Sequence, residues 1–123
     1  MKMCRVLKNE VIFADQIKIA DTFIQKLVGL LSEKGLNYEQ GLLLNACKQV
    51  HTIGMRFPID VIFISKEGEI LHIEKDMASG KVSKYVKRAF YTLELKSGTA
   101  KEHNLLIHDH ITFEILSINE GGR

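Results

Sequence analysis

The sequence predicts a single α+β, mainly β domain: a compact, small-barrel-like or sandwiched sheet with one amphipathic helix near the N-terminal third. Three observations carry this. Short apolar stretches recur along the chain, bounded by Gly, Asn, Asp or charged residues. One of them, Val61-Ile62-Phe63-Ile64, is apolar on both faces and is expected to be a central strand, covered by the helix or enclosed in a barrel. Only residues 21–32 switch to a helical period. At 123 residues, 46% apolar and 26% charged, the chain has the make-up of one globular domain over 1–123. A chain of this length buries about two thirds of its unfolded surface.

Residues 5–7 and 11–13 read as strands joined across Lys8-Asn9-Glu10, where Asn9 suits a turn, and the alternating Ile17-Lys18-Ile19 reads as a third. In residues 21–32, Ile24, Leu27, Val28 and Leu31 fall at i, i+3, i+4 and i+7, one buried helical face that is expected to pack on Val61 to Ile64. Thr22 and Gln25 have the spacing of a capping box, and Gly35 suits a left-handed C-terminal cap. Gly29 inside this helix is unfavourable by about 1 kcal/mol relative to Ala, which predicts a close backbone contact there. Residues 41–44 and 59–65 are strands, and Lys66-Glu67-Gly68 turns the chain into residues 69–74. The polar residues 76–88 read as a long loop. Residues 90–95, 105–107 and 111–118 complete about eight or nine short strands, more than repeated βαβ units would use.

Composition excludes several classes. The N-terminus lacks an apolar targeting core and no apolar run nears the roughly 20 residues that cross a bilayer, so a cytoplasmic location without membrane contact is expected. Cys4 and Cys47 are too few and too far apart for a disulfide framework, which predicts reduced thiols. The net charge of +2 makes no case for nucleic acid. Phosphate-binding glycine loops and the G-x-S-x-G nucleophile elbow are missing from the sequence.

The chemistry-bearing side chains concentrate in CKQVHTIGMRFPIDVIFI, residues 47–64. Pro58 holds the preceding segment extended, so His51, Thr52, Met55 and Asp60 are expected to line one concavity, with Met55 and Phe57 as its apolar wall. Cys47 and His51 can form a thiolate–imidazole pair on one helical face, but lie about 13 Å apart in extended chain. A buried cysteine acting as a small hydrophobe is the commoner role.

Asp60 and Glu94 each interrupt apolar strand sequence. Both can be structural, accepting backbone N–H groups or pairing with Arg56 or Lys96, or can converge as recognition groups or an acid/base pair. His108 and His110 bracket Asp109 and offer two imidazoles to one face of an extended segment. No third ligand is evident, so no metal and no cofactor is expected, and a turn at His108-Asp109 is the plainer reading. Lys81, Lys84, Lys87 and Arg88, interleaved with Tyr85, Phe90 and Tyr91, suit phosphate contact with base stacking. Glu74, Asp76 and Glu94 flank them and no nucleic-acid motif is present, which favours a solvated loop.

The successive blocks ADTFIQKLVGLLS, GLLL, HTIGMRFPIDVIFI, GEILHIE, YTLELKSG and IHDHITFEI cover most of the chain, and their order resembles domain-of-unknown-function family 192, a group of small uncharacterised bacterial and archaeal proteins. The block holding His51, Thr52, Met55, Pro58 and Asp60 is its most specific part. Val50 and His51 stand where the family usually has an aromatic residue and Asn, and His108 where it has Gly before the late Asp, which makes this a Cys/His-bearing variant. The resemblance implies a compact, mostly β domain with a helix, and no established reaction. The residues favour a ligand- or partner-binding domain, its groove formed around His51, Thr52, Met55, Asp60 and Glu94, for a small molecule or protein partner of unknown identity. The alternative is a small hydrolase or transferase using Cys47 or His51 with Asp60 or Glu94. The third is nucleic-acid contact through the loop of Lys81 to Arg88.

Overall fold

The computed structural model of the protein describes residues 2–22, 25–26, 29–31 and 33–116. Its strands are β1 (Met3–Lys8), β2 (Val11–Ala20), β3 (Gln40–Asn45), β4 (Ile59–Ser65), β5 (Ile70–Met77), β6 (Ala89–Lys96) and β7 (Ile111–Ile115), with a short helix α1 (Thr99–Glu102) after β6. They form one mainly β, seven-stranded sheet in the order β5-β4-β6-β3-β2-β1-β7. Only β2 and β3 pair in parallel.

Local sequence explains the turns. Asn9 and Glu10 have φ of 49° and 69°, the left-handed pair of a two-residue hairpin whose twist matches its strands. Beyond it, β2 runs unbroken through Ile17 to Ile19, so the two expected strands are one. Gly68 sits at φ 100° in the β4–β5 turn, and a Cβ there would lie 2.5 Å from the Ile111 carbonyl oxygen. That close approach is where the sheet rolls up. Ile111 N–H donates to the Gly68 carbonyl (2.7 Å), Ile70 N–H to that of Asp109 (2.9 Å), and Glu69 bridges His110. The two ends of the sheet order thus touch at one end of a half-barrel.

Alternation along the strands gives two cores. Ile62, Ile64, Leu93, Leu95, Leu43, Ile17 and Val6 fill the inner face. Val61, Phe63, Leu42, Leu44, Ala20, Met55 and Val86 form a second core on the outer face. Every β4 residue is buried, which is why its sequence is apolar in both registers. Gly41 brings β3 against β6: a Cβ would sit 2.4 Å from the Glu94 carbonyl oxygen.

The helix is a correction. Among the described residues the regular helix is α1, four residues long and far from the N-terminal third. Of the segment 21–32, Phe23, Ile24, Leu27, Val28 and Ser32 lie outside the described residues, and with them most of the expected apolar face. In the described part Gln25 and Lys26 are helical and follow an N-terminal cap. Gln25 N–H donates to Thr22 Oγ1 (3.1 Å), while the Asp21 and Thr22 N–H groups donate to Gln25 Oε1 (3.1 and 3.4 Å), the reciprocal bonds of a capping box. Gly29 N–H donates to the Gln25 carbonyl (2.9 Å) and Gly29 itself turns left-handed at φ 50°, taking the chain-reversing role expected of Gly35. Residues 105–107 are also no strand. Leu105 is buried and bonds back to Ala100, whereas Leu106 N–H caps onto Asp109 Oδ2 at 2.8 Å and leaves Leu106 and Ile107 exposed.

Candidate functional site

Residues 47–52 leave β3 and run antiparallel to residues 81–87 across the outer face. The Val86, Ser83 and Thr52 N–H groups donate to the Lys48, Val50 and Lys81 carbonyls, each at 2.8 Å. Lys48 Nζ caps the Lys87 and Ala89 carbonyls at 2.8 and 2.7 Å. The stretch 76–88, expected to be a solvated loop, is therefore half of a wall. Ser83, Val86 and Ala89 turn inward while Lys81, Lys84, Lys87 and Arg88 face water. Thr52 is fully buried and locks the wall: its Oγ1 donates to the Ala78 carbonyl (2.6 Å) and accepts from Lys81 N–H (2.9 Å). Met55 N–H returns to the Thr52 carbonyl (3.1 Å) across Gly54 at φ 85°, a turn that needs glycine at its third position.

Between this wall and Lys26, Gly29, Leu30 and Leu31 lies a cavity of about 260 Å³. Its apolar lining is Leu30, Leu31, Leu44, Val50 and Met55, and its polar lining Lys26, Cys47, Gln49, His51 and Glu94. The fold thus brings His51, Met55 and Glu94 together, with Cys47. Thr52 and Asp60 are not among the lining residues. A second cavity of about 350 Å³ shares Gly29 and Leu30, but its charged groups, Lys18 and Glu33, already face each other at 3.8 Å.

Asp60 is 1% exposed and satisfied by backbone. Oδ1 accepts from Asp76 N–H (2.8 Å), and Oδ2 from Gly98 (3.1 Å) and Ala100 (2.9 Å) N–H. It pins the end of β5 and the start of α1 to β4, and its partners are neither Arg56 nor Lys96. Glu94 is 5% exposed, in the middle of β6 between Leu42 of β3 and Val61 of β4. Its carboxyl has no hydrogen-bond or ionic partner among the described residues, and burial pushes its pKa up to about 7. Glu94 is one of the residues that line the cavity. Such a group can accept or donate a proton near neutrality, or receive a hydrogen-bond donor from a ligand.

Cys47 is half-buried, its Sγ donating to the Gln49 carbonyl at 3.4 Å. Cys4, by contrast, is sealed in the inner core, where burial raises its thiol to about 11. At the barrel closure, His108 at φ 79° pairs with Glu69 (Nδ1 to Oε2, 2.5 Å) and Asp109 with Lys8 Nζ (3.3 Å), so this cluster fastens the sheet ends. Among the described residues no group of three or more His, Cys, Asp or Glu is placed to hold a metal, and no helix is long and apolar enough to cross a membrane.

Leu44, Gln49 and Lys26 line the cavity without any motif to announce them. Leu44 alone had a usable signal, since alternation from Leu42 places it on the Glu94 side of the sheet.

The family model that matches the chain is DUF192, Uncharacterized ACR, over residues 6–113. A solved structure of a protein of unknown function from Novosphingobium aromaticivorans DSM 12444 is similar with a TM-score of 0.78 at 16% identity, covering 89% of this chain and 83% of that one. Another, described as a “putative transcription regulator” from Sinorhizobium meliloti 1021, has a TM-score of 0.75 at 20% identity, covering 91% of this chain and 92% of that one. Identities this low speak for shared fold alone. No curated protein matches the chain.

Proposed function

From the premise that this chain belongs to the DUF192 family of uncharacterized proteins, we propose that it is a single-domain binding protein whose outer-face groove takes a small, mostly apolar molecule. Glu94 is the observation that carries this reading. An unpartnered buried carboxyl destabilises the fold that holds it, and one open to an apolar cavity has a ready use in ligand recognition. Glu94 is the floor group, Met55 an apolar wall and His51 a rim group, while Thr52 clamps the wall behind them and Asp60 ties β5 and α1 to β4 from the other face. Free thiols at Cys4 and Cys47 accord with a reducing, cytoplasmic setting. Titration of the isotope-labelled protein with small apolar fragments should move the amide resonances of Leu44, Cys47, Met55 and Glu94 together. Shifts confined to the barrel closure around His108, or none, would remove the reading.

A second reading, a thiol-dependent hydrolase or transferase, is favoured by the presence of Cys47, His51 and Glu94 in one cavity. A catalytic Cys47 alkylates rapidly even at mildly acidic pH and slows when His51 is replaced by Ala. Alkylation only after unfolding eliminates the thiol mechanism. The nucleic-acid reading rests on the exposed row Lys81, Lys84, Lys87 and Arg88. Glu74 stands beside that row, accepting Lys84 N–H at 2.9 Å, and weakens its case.

A further inference from the structure

We infer that the groove is built for a small aliphatic primary amine, its ammonium group seated on the Glu94 carboxyl and its apolar body against Leu44, Val50 and Met55. This rests on the reading of the groove as a binding site and narrows it to a ligand class.

The inference follows from what the cavity lacks. Among the described residues Glu94 is the one acidic lining group, it is 5% exposed, and none of them donates to it. An ionised carboxylate only accepts hydrogen bonds, and taking it out of water is offset only by an opposite charge with well-placed donors. An ammonium supplies both, three N–H donors and a full charge, whereas an alcohol supplies one donor and no charge. A ligand carboxylate would face repulsion from Glu94 and be drawn instead to Lys26, which also lines the cavity and has no ionic partner among the described residues. The same Lys26 disfavours a diamine. At about 260 Å³ the cavity is below the roughly 300–1,000 Å³ of drug-sized sites, which restricts the body to a few carbons.

Acid should oppose this binding. Burial holds Glu94 near a pKa of about 7, so lowering the pH from 8 to 6 protonates it while an aliphatic amine keeps its charge. The other titratable groups of the lining are Lys26, Cys47 and His51. Because these groups share the cavity with Glu94, its own contribution is isolated by substitution.

The test compares three probes with one branched body (isoamylamine, isopentanol and isocaproate) by amide-shift titration of the full chain at pH 8. Isoamylamine should move Leu44, Cys47, Met55 and Glu94 at concentrations at least tenfold below those needed for isopentanol or isocaproate. Glu94→Gln, nearly isosteric and checked for folding by its spectrum, should weaken isoamylamine about tenfold or more and abolish most of the loss on going to pH 6. Equal binding of isopentanol or isocaproate, or an unchanged affinity in Glu94→Gln, overturns the amine assignment and leaves the binding groove standing. Failure of all three probes to move these amides overturns both.

Discussion

Asp60 and Glu94 are almost the same group in almost the same place, and they do opposite things. On the β4–β6 ladder Asp60 is opposite Leu95 and Glu94 is opposite Val61, successive rungs, so alternation sends Asp60 to the inner face and Glu94 to the outer one. Both are nearly sealed. Asp60 meets three backbone N–H groups from two other segments, and Glu94 meets none among the described residues. A buried carboxyl is therefore a tie where the backbone supplies donors. Where a cavity stands in their place, it is left available to a ligand.

Removing the tie should have the largest effect. Asp60→Ala deprives the Asp76, Gly98 and Ala100 N–H groups of a shared acceptor, and hydrogen bonds to a charged group are worth about 1.5–3 kcal/mol each. A loss of about 4 kcal/mol or more in urea unfolding is expected, together with accelerated amide exchange at Gly98 and Ala100. A loss under about 1 kcal/mol would mean that water replaces the carboxyl without penalty, and the contrast with Glu94 would dissolve.

Glu94→Gln should move stability the other way, and only above acidic pH. The folded protein holds the Glu94 proton up to about pH 7, whereas the unfolded chain releases it near its ordinary value of 4.5. Between these values the native state binds more protons, so the wild type loses stability as pH rises, by an amount on the order of 3 kcal/mol. Gln does not titrate. The variant should match the wild type near pH 4.5 and exceed it by up to about 3 kcal/mol at pH 8. Unfolding midpoints at the two pH values decide the matter, because other titrating groups are common to both proteins and cancel. Parallel profiles would show that Glu94 has a partner or ready access to bulk water.

The same alternation sets how much was legible in the sequence. The strands, the Gly68 turn and the Thr22–Gln25 capping box follow from period and spacing, and Glu94 stood out because it breaks an apolar run on a strand that really is central. The concavity of His51, Thr52, Met55 and Asp60 was drawn from nearness in sequence, which ignores that adjacent residues of extended chain face opposite ways. His51 lines the cavity and Thr52 clamps the backbone behind it. The wall formed with residues 81–87 was out of reach because its bonds are long-range backbone pairs between two polar stretches, and neither shows a strand period. The helical spacing of residues 21–32 rests mostly on positions outside the described residues; of those described, Gln25 and Lys26 are helical and Gly29 turns left-handed.

The smallest effects come from splitting that neighbouring pair. Thr52→Ala removes a fully buried hydroxyl that donates to Ala78 and accepts from Lys81 N–H, leaving the latter unsatisfied, so a loss of about 1–3 kcal/mol is expected. His51→Ala touches an exposed ring whose backbone bridge to Val82 survives the change, and should stay within about 0.5 kcal/mol of the wild type. The difference sharpens once ligand binding is measured. If His51 is a rim group, its removal alters affinity for groove ligands at constant stability, whereas Thr52→Ala alters affinity only as far as the wall loosens, visible as faster exchange of the Lys81 amide. Equal stability losses from the two changes would mean that the His51 ring is part of the wall, and that the groove begins deeper, at Met55 and Glu94.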